Sequence, residues 1–445
     1  PGKSGVAIIR VSGPHVLDSF KSLIRSDVTF PPNSRMANLT KLYADVSRET
    51  SLIDEAVVIY FKGPNSFTGE DVIEYQTHGG PAIIQQMMEY LAAQPSHRLA
   101  ERGEFTRRAF ENGRMDLTEA EAIADLIDAE TLAQKDQALA QMNGNLRDLY
   151  EGWAERLTRA LALLEADLDF PDEDLPNGIA AQVVPVLDEL LHEMTAHLND
   201  NRRGERLRDG VHIAVIGAPN AGKSSLVNAL AQRDAAIVSN LAGTTRDIVE
   251  VHLDLGGYPV ILSDTAGLKP ELLKNVSRET LESSHDDIES EGIRRALKRA
   301  EEADFKILLF DGSQQLDEAT LSIKDQKSLV VVNKSDLVNS TENFDKEYIL
   351  ISLTENVGMD LFLETLETRI KDFIGRNDTP ALTRQRHRDA IEKSMASIKQ
   401  SKLAALPELM AEDIRISVRE LGKITGRVNV DDLLDIIFSE FCIGK

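Results

Sequence analysis

The sequence predicts a mixed chain, α/β plus α: an α/β segment inserted between two helical halves, with an α+β region ahead of both. Three observations carry that prediction. Residues 1–113 mix short β-type runs with Gly/Pro turns, residues 211–375 alternate strand and helix, and the stretches flanking that alternation have helical periodicity. At 445 residues the chain is too long for a single core. The expected divisions are 1–113, 114–208, 209–376 and 377–445, the second and fourth being two parts of one helical domain.

In chain order, Val6–Val11 and Ala56–Phe61 are the strand candidates of the first region, and Lys62-Gly-Pro-Asn-Ser is a turn. From Leu117 to Phe170 the pattern is helical: Leu117, Ala120, Ile123, Ala124 and Ile127 share one face, and Thr118 with Glu121 predicts a capping box. Gly144 interrupts this stretch and Phe170-Pro171-Asp172 ends it. Ala181–Leu198 reads as a further helix and Asn201–Asp209 as a charged linker. Strands are expected at Val211–Ile216, Pro259–Leu262, Phe305–Phe310, Ser328–Val332 and Tyr348–Ile351. Beyond Arg376 the chain is helical to its end.

Hydrophobic content of 42% and charged content of 28% are ordinary for a soluble globular protein. No apolar run has membrane-spanning length, and no secretory signal is visible, although the chain begins at Pro1 as a trimmed leader would leave it. The single cysteine, Cys442, excludes an internal disulfide framework and any Cys-based zinc site, which fits a reducing compartment. A net charge of −24 argues against a surface that grips nucleic acid everywhere. Local basic candidates are Arg202, Arg203, Arg206 and Arg208, then Arg294, Arg295, Lys298 and Arg299, then Arg384, Arg386 and Arg388. A solvated helix face is the favoured reading of each cluster.

Gly217-Ala-Pro-Asn-Ala-Gly222-Lys223-Ser224 has the P-loop pattern, after a predicted strand and ahead of a helix expected at Ser225–Ala231. Its glycines let backbone N–H groups wrap phosphates at a helix N-terminus. Lys223 would neutralise the β- and γ-phosphates, and the Ser224 hydroxyl would ligate Mg²⁺. Gly243-Thr244-Thr245-Arg246-Asp247 supplies a threonine able to join Mg²⁺ and sense the γ-phosphate. Asp264-Thr265-Ala266-Gly267 ends a strand, where Asp264 can hold the metal's water shell and the glycine can donate to the γ-phosphate. Asn333-Lys334-Ser335-Asp336 follows another apolar strand and offers a buried carboxylate to guanine's ring N–H and exocyclic amine. Adenine would leave that carboxylate unpaired, a mismatch that can be worth factors of about 10⁴. Ser352-Leu353 ends the next strand, where a backbone N–H would meet the guanine oxygen.

These loops in register predict a GTP hydrolase. The nucleotide set is Asn220, Ala221, Gly222, Lys223, Ser224 and Ser225, then Ser239, Asn240, Leu241, Ala242, Gly243, Thr244 and Thr245. It continues through Asp264, Thr265, Ala266, Gly267, Asn333, Lys334, Ser335, Asp336, Ser352 and Leu353. No glutamine follows the DTAG loop, where the next residue is Leu268, so another group must orient the water. Arg246 is a candidate arginine finger. The Asn220 amide either ligates a monovalent cation that does a finger's electrostatic work or is merely tolerated in the loop.

Beyond these motifs the chain resembles the MnmE/TrmE family of tRNA-modification GTPases from end to end. The resemblance rests on Gly5-Val-Ala-Ile-Ile-Arg-Val-Ser-Gly13, Gly63-Pro-Asn-Ser-Phe-Thr-Gly-Glu-Asp71, His78-Gly-Gly80 and Gly103-Glu-Phe105. It also rests on Asp116-Leu-Thr-Glu-Ala-Glu-Ala-Ile-Ala-Asp-Leu-Ile127, Asp169-Phe-Pro-Asp-Glu173 and Phe441-Cys-Ile-Gly-Lys445. It implies an N-terminal domain that binds a tetrahydrofolate one-carbon carrier (5-formyl or 5,10-methylene) and dimerises, then a helical domain carrying the G domain as an insertion. It implies K⁺-stimulated GTP hydrolysis and an FAD-dependent partner, MnmG, in a heterotetramer or larger assembly. Together they modify carbon 5 of the wobble uridine of tRNAs, with the tRNA held directly or through the partner. The bacterial cytoplasm is the implied location, the mitochondrial matrix the alternative if a leader was removed.

By matching position, K⁺ would take the Asn220 side chain, Thr244 and the carbonyls of Ser239 and Leu241, while Ser224 and Thr245 would hold Mg²⁺. Catalysis would fall to Lys223, Thr245 and the water-orienting Glu289, which taken alone reads as a solvated or helix-capping acid. Leu268–Glu291 is longer than the usual family spacing. The folate positions would be Arg10, Glu74, Arg114 and Lys445, each of which in isolation reads as a surface ion-pair residue; Cys442 would lie beside them. Two rival readings are a GTP-switched ribosome-assembly or interaction factor, and a stand-alone folate-dependent methyl-transferring enzyme regulated by GTP.

Overall fold

The structure is a computed structural model and describes residues 3–25, 28–46, 49–169, 179–232, 250–264, 302–338, 344–375, 380–428, 430–439, 441 and 444. The chain divides into two compact units. The first comprises Pro1–Ala124, Gln141–Ala166 and Glu408–Lys445, the second Asp125–Ala140 and Asp167–Pro407.

The first unit opens with β1 (Ser4–Ser12), α1 (Val16–Leu23), β2 (Ala37–Val46), β3 (Glu49–Phe61), β4 (Val72–Gly79), α2 (Pro81–Ala92) and α3 (Glu104–Glu111). The four strands form an antiparallel sheet in the order β1-β4-β3-β2. Side chains alternate between its faces, as pleating requires. Ile9, Leu42, Val58, Ile73 and Tyr75 point to one face and pack with Phe20, Leu23 and Met87 of α1 and α2. The other face is open: Val6, Ile8 and Leu39 are 59%, 60% and 69% exposed. β2 and β4 were not expected from the sequence, and β3 begins seven residues ahead of Ala56.

The helical stretch expected from Leu117 to Phe170 is three helices, α4 (Leu117–Asp128), α5 (Leu132–Met142) and α6 (Asn145–Asp169). The break before α6 falls at Gly144 as expected; the break before α5 is additional. There Gln134 Oε1 accepts the Glu130 and Thr131 N–H groups and the Gln134 N–H reaches Thr131 Oγ1, a capping box that starts a new helix. The cap of α4 is also displaced. Asp116 Oδ1 accepts the Glu119 N–H at 2.8 Å and Glu119 Oε2 accepts the Asp116 N–H at 2.9 Å, whereas Thr118 and Glu121 are buried. Because α4 starts at Leu117, Asp116 holds the capping position and Thr118 lies inside the first turn. The terminating Phe170-Pro171-Asp172 lies outside the described residues.

The second unit continues with α7 (Ile179–Leu198), α8 (Arg203–Asp209), β5 (Val211–Ile216), α9 (Lys223–Ala231), β6 (Glu250–Leu255), β7 (Tyr258–Asp264), β8 (Phe305–Asp311) and α10 (Glu318–Leu321). β9 (Ser328–Asn333), a 3₁₀ turn (Ser335–Leu337), β10 (Ile349–Leu350), α11 (Met359–Ile374) and α12 (Gln385–Ser401) complete it. The charged segment expected as a linker is therefore partly helical. The sheet order is β10-β9-β8-β5-β7-β6, parallel except for the β6–β7 hairpin. Both faces are covered. Val211, Ile213 and Val215 pack with Leu226, Phe362 and Leu366, while Ala214 and Ile216 join Leu308, Phe310 and Val332 on the other side. Burial on both faces is why these strands read as continuous apolar runs, and it identifies a doubly wound sheet.

The chain returns to the first unit with α13 (Pro407–Thr425) and α14 (Asp431–Ser439). Leu434, Ile437, Phe438 and Phe441 pack on Leu117 and Ala120 of α4, and Arg107 of α3 pairs with Asp435. Gly103, at φ +65°, lets α3 approach closely: a Cβ there would stand 2.6 Å from the Phe438 carbonyl oxygen. Among the described residues no helix is long and apolar enough to cross a membrane.

Candidate functional site

In the doubly wound sheet the motif-bearing loops that follow β5, β7, β9 and β10 leave the C-terminal ends of parallel strands, the edge where such folds bind ligands. β5 runs into Gly217–Gly222 and α9 starts at Lys223. The loop has no room for side chains at its ends. A Cβ on Gly217 would lie 2.2 Å from the Leu309 carbonyl oxygen, and one on Gly222 2.4 Å from Asn333 Nδ2. Gly222 and Asn220 adopt φ of +103° and +64°. Lys223 is buried and its Nζ donates to the carbonyls of Gly217 and Ala218 at 2.9 and 3.0 Å. A buried ammonium needs such partners, and these hold it over the loop that would wrap a phosphate chain. Ser224 and Ser225 are exposed on the first turn of α9. β7 pairs with β5 so that Asp264 stands opposite Val215, one residue before the loop-bearing end of β5.

Asn333 ends β9 and joins two loops. Its Nδ2 donates to the Ala221 carbonyl at 3.0 Å, and its Oδ1 accepts the Leu353 N–H at 3.3 Å. Lys334, at φ +60°, reaches back to Asp311 at the end of β8. Burial opposes the charged form of Asp311, but hydrogen bonds from Lys334 and Ser313 outweigh it and hold the carboxyl below the usual carboxylate range. Asp311 and the bridging role of Asn333 were not foreseen; the signal was a polar residue closing a buried apolar run.

Two expectations change in detail. Asp336 is exposed rather than buried, because the 3₁₀ turn that carries it sits beyond the end of β9. The Ser352 N–H is directed to the Val357 carbonyl at 2.9 Å, so of the Ser352-Leu353 pair it is the longer Leu353 bond that faces Asn333. Ser239, Asn240, Leu241, Ala242, Gly243, Thr244, Thr245, Arg246, Thr265, Ala266, Gly267 and Glu289 lie outside the described residues, as do Cys442 and Lys445.

A second cluster stands on the open face of the N-terminal sheet. Arg10 and Glu74 are cross-strand neighbours, with Arg10 Nε and NH2 at 2.9 and 2.7 Å from Glu74 Oε1. The Arg10 guanidinium also lies over the rings of Phe67 and Phe105, 5.4 and 5.5 Å from their centroids. Arg114 is exposed, its stem against Gly69 in the Gly63–Asp71 loop. The same loop is held by Arg108, which bonds Glu70 at 3.0 Å and Glu104 at 2.7 Å, and by Asn112, which donates to the Thr68 carbonyl. Phe67 and Phe105 fell within motif stretches of the sequence but were not singled out.

His78 has a structural partner. The buried Asp54 carboxylate accepts the His78 N–H and Nδ1–H, both at 2.8 Å, and the Glu55 N–H at 2.9 Å. Burial would raise its pKa, yet these bonds win and hold it below the usual value.

The arginine clusters flagged as RNA contacts or solvated faces are largely internal joints. Arg208 and Arg384 share Asp125 at 3.0 and 2.8 Å, and Arg388 bonds Asp200, Glu205 and the Leu198 carbonyl. Arg206 pairs with Asp304 at 2.8 Å and covers the Phe373 ring. These pairs neutralise charge where the chain enters and leaves the sheet. Arg294, Arg295, Lys298 and Arg299 lie outside the described residues.

The model of the MnmE helical domain matches residues 117–442, and that of the N-terminus of the GTP-binding protein TrmE matches residues 1–114. The tRNA modification GTPase MnmE of Rickettsia canadensis (strain McKiel) is 46% identical over 100% of this chain and 98% of its own length. That of Rhodospirillum rubrum is 47% identical over 100% and 97%. That of Parvibaculum lavamentivorans is 45% identical over 100% and 98%. The P-loop on a doubly wound sheet and this full-length similarity lead to one conclusion: the chain belongs to the MnmE family of tRNA modification GTPases.

Proposed function

We propose that this GTPase acts in wobble-uridine modification at carbon 5, with a tetrahydrofolate one-carbon unit and an FAD-dependent MnmG-type partner, and that K⁺ stimulates its hydrolysis of GTP. The observation that carries the folate half is the Arg10–Glu74 pair flanked by Phe67 and Phe105. A pterin needs a carboxylate for its amidine-like edge, an aromatic surface for its ring and cations for its glutamate tail. Glu74, the two phenylalanines, and Arg10 with Arg114 and Lys445 supply those three chemistries. The open apolar face beside them, Val6, Ile8 and Leu39, supports dimerisation through this domain.

For hydrolysis, Lys223 would lie along the β- and γ-phosphates and Asp336 would read guanine. The Leu353 N–H, whose bond to Asn333 is long, is the group best able to turn to the purine oxygen. Ser224 and Thr245 would hold Mg²⁺, with Asp264 beside them, and Asn220, Thr244, Ser239 and Leu241 would hold K⁺. The exposed Ser224 hydroxyl on the first turn of α9 and the exposed, left-handed Asn220 fit those donor sets. When bound, the two cations supply positive charge against the phosphate oxygens. Glu289 would orient the water that attacks the γ-phosphorus as GDP departs. We read the G domain as 209–376, inserted between helical parts 114–208 and 377–445, behind the folate and dimerisation domain 1–113, in a bacterial cytoplasmic protein.

The deciding experiment is calorimetric titration of the intact chain with 5-formyltetrahydrofolate, beside an Arg10→Ala, Lys445→Ala double variant. Stoichiometric binding lost in the variant is expected. A folded, GTP-hydrolysing protein that binds no folate overturns the one-carbon assignment and favours the interaction-factor reading.

A further inference from the structure

β5 and β7 are neighbours in the sheet, and each delivers a nucleotide loop at its C-terminal end: Gly217–Gly222 from β5 and Asp264 from β7. Their N-terminal ends meet a single helical corner, residues 128–137. The β6–β7 turn is Gly256-Gly257, with φ of +62° and +90°, the pattern of a tight two-residue hairpin. The Gly257 carbonyl accepts the Ala133 N–H at 3.1 Å, and a Cβ on Gly257 would touch Leu132. Three positions before the end of β6's paired run, His252 Nδ1 lies 3.3 Å from Glu130 Oε2, with both side chains under a third exposed. The same corner grips the segment that feeds β5: Gln134 Nε2 donates to the Arg208 carbonyl and Gln137 Nε2 to the Gly204 carbonyl, each at 3.0 Å, while Asp125 holds Arg208.

We propose that this corner is a coupling contact, in which Glu130 and Ala133 of the α4–α5 junction and His252 and Gly257 of the hairpin transmit the nucleotide state of β5 and β7 to helix α4. The physical basis is stiffness. Strands buried on both faces and hydrogen-bonded to each other move as one body, so a displacement at the phosphate end of a strand about 20 Å long must appear at its other end. There it meets α4, an unbroken helix that begins at Leu117, three residues after Arg114. Glu130 and His252 are positioning residues: among the described residues they touch no nucleotide loop. The contact would link hydrolysis to modification, and the inference rests on the GTPase and tRNA-modification activities of the family.

The test uses full-length Glu130→Ala, His252→Ala, the double variant, and His252→Asn, whose side-chain N–H can replace Nδ1. GTP turnover is measured on purified protein. The wobble-uridine modification level is measured by nucleoside mass spectrometry in cells whose own copy is deleted. The expected result is GTP turnover within about twofold of wild type, modification lowered about tenfold, and a double variant no worse than either single one. His252→Asn should recover most of the modification. Unchanged modification in Glu130→Ala and His252→Ala overturns the proposal. So does a parallel fall in GTP turnover and modification that His252→Asn does not relieve, because the pair would then only support the fold. Wild-type protein that fails to restore modification would count instead against the proposed function.

Discussion

The two candidate sites are built in opposite ways. At the edge of the doubly wound sheet, functional groups sit in loops whose shape is enforced by backbone: Gly217 under the Leu309 carbonyl, Gly222 under Asn333, and Lys223 tied to two loop carbonyls. On the N-terminal sheet, Arg10 and Glu74 sit mid-strand, held by one cross-strand ion pair and two aromatic rings. A backbone-enforced site tolerates almost no change of residue and so leaves a compact motif. A side-chain site is assembled from positions 64 residues apart and is visible only as scattered fragments.

That contrast is most sharply tested at Gly217. Gly217→Ala forces a Cβ into backbone 2.2 Å away, so the loop or β8 must shift. The expected cost is about 3 kcal/mol or more, a loss of nucleotide affinity of roughly a hundredfold, read by fluorescent GTP-analogue titration. Near-native affinity would show that the loop is softer than its packing implies. Asn333→Ala should come next. It strands the buried Ala221 carbonyl and removes the acceptor for the Leu353 N–H, a destabilisation of about 2–3 kcal/mol by chemical denaturation. A much smaller loss would mean the two loops are held together by other contacts.

On the other sheet the effects on folding should be milder and those on binding selective. Arg10→Ala is expected to weaken 5-formyltetrahydrofolate binding at least about tenfold while costing only about 1 kcal/mol of stability, since its ion pair is partly exposed. Equal damage to both would make Arg10 a structural residue.

The smallest effect is a pH dependence. The folded pKa of Asp54 is depressed, so the stability it contributes is fully present above the unfolded carboxylate value of about 3.9 and is lost as pH falls through the lower folded value. Asp54→Asn should therefore flatten the acid limb of a melting-temperature profile between about pH 5 and 2, by about 1 kcal/mol. An unchanged limb would remove the Asp54–His78 clamp from the account.

Legibility followed the same division. The buried strands β5, β8 and β9 were readable because burial on both faces leaves unbroken apolar runs such as Ile307–Phe310 and Leu329–Val332. β2 and β4 were not, because one face of their sheet is open and Thr40, Glu74 and Gln76 interrupt the apolar signal. The cap of α4 was misplaced by two residues because Asp116-Leu-Thr-Glu119 and Thr118-Glu-Ala-Glu121 both fit the capping pattern; packing of Thr118 and Glu121 into the interior decided between them. The arginines at 202–208 and 384–388 looked like surface charge, since nothing in a linear chain shows that Asp125 and Asp200 wait for them.

By itself the sequence determined the doubly wound sheet, the phosphate loop and the order of the loops that follow it. Those features depend on local rules: apolar periodicity, glycine where a Cβ has no room, and a polar residue at the ends of β7, β8 and β9. Only the tertiary structure decided that Arg10 meets Glu74 between Phe67 and Phe105, that Asn333 ties the phosphate loop to Leu353, and that the corner at Glu130–Ala133 receives the β6–β7 hairpin. The physical reason is range. A hydrogen bond or ion pair between residues far apart in the chain leaves no periodicity at either end, and folding alone brings its partners within reach.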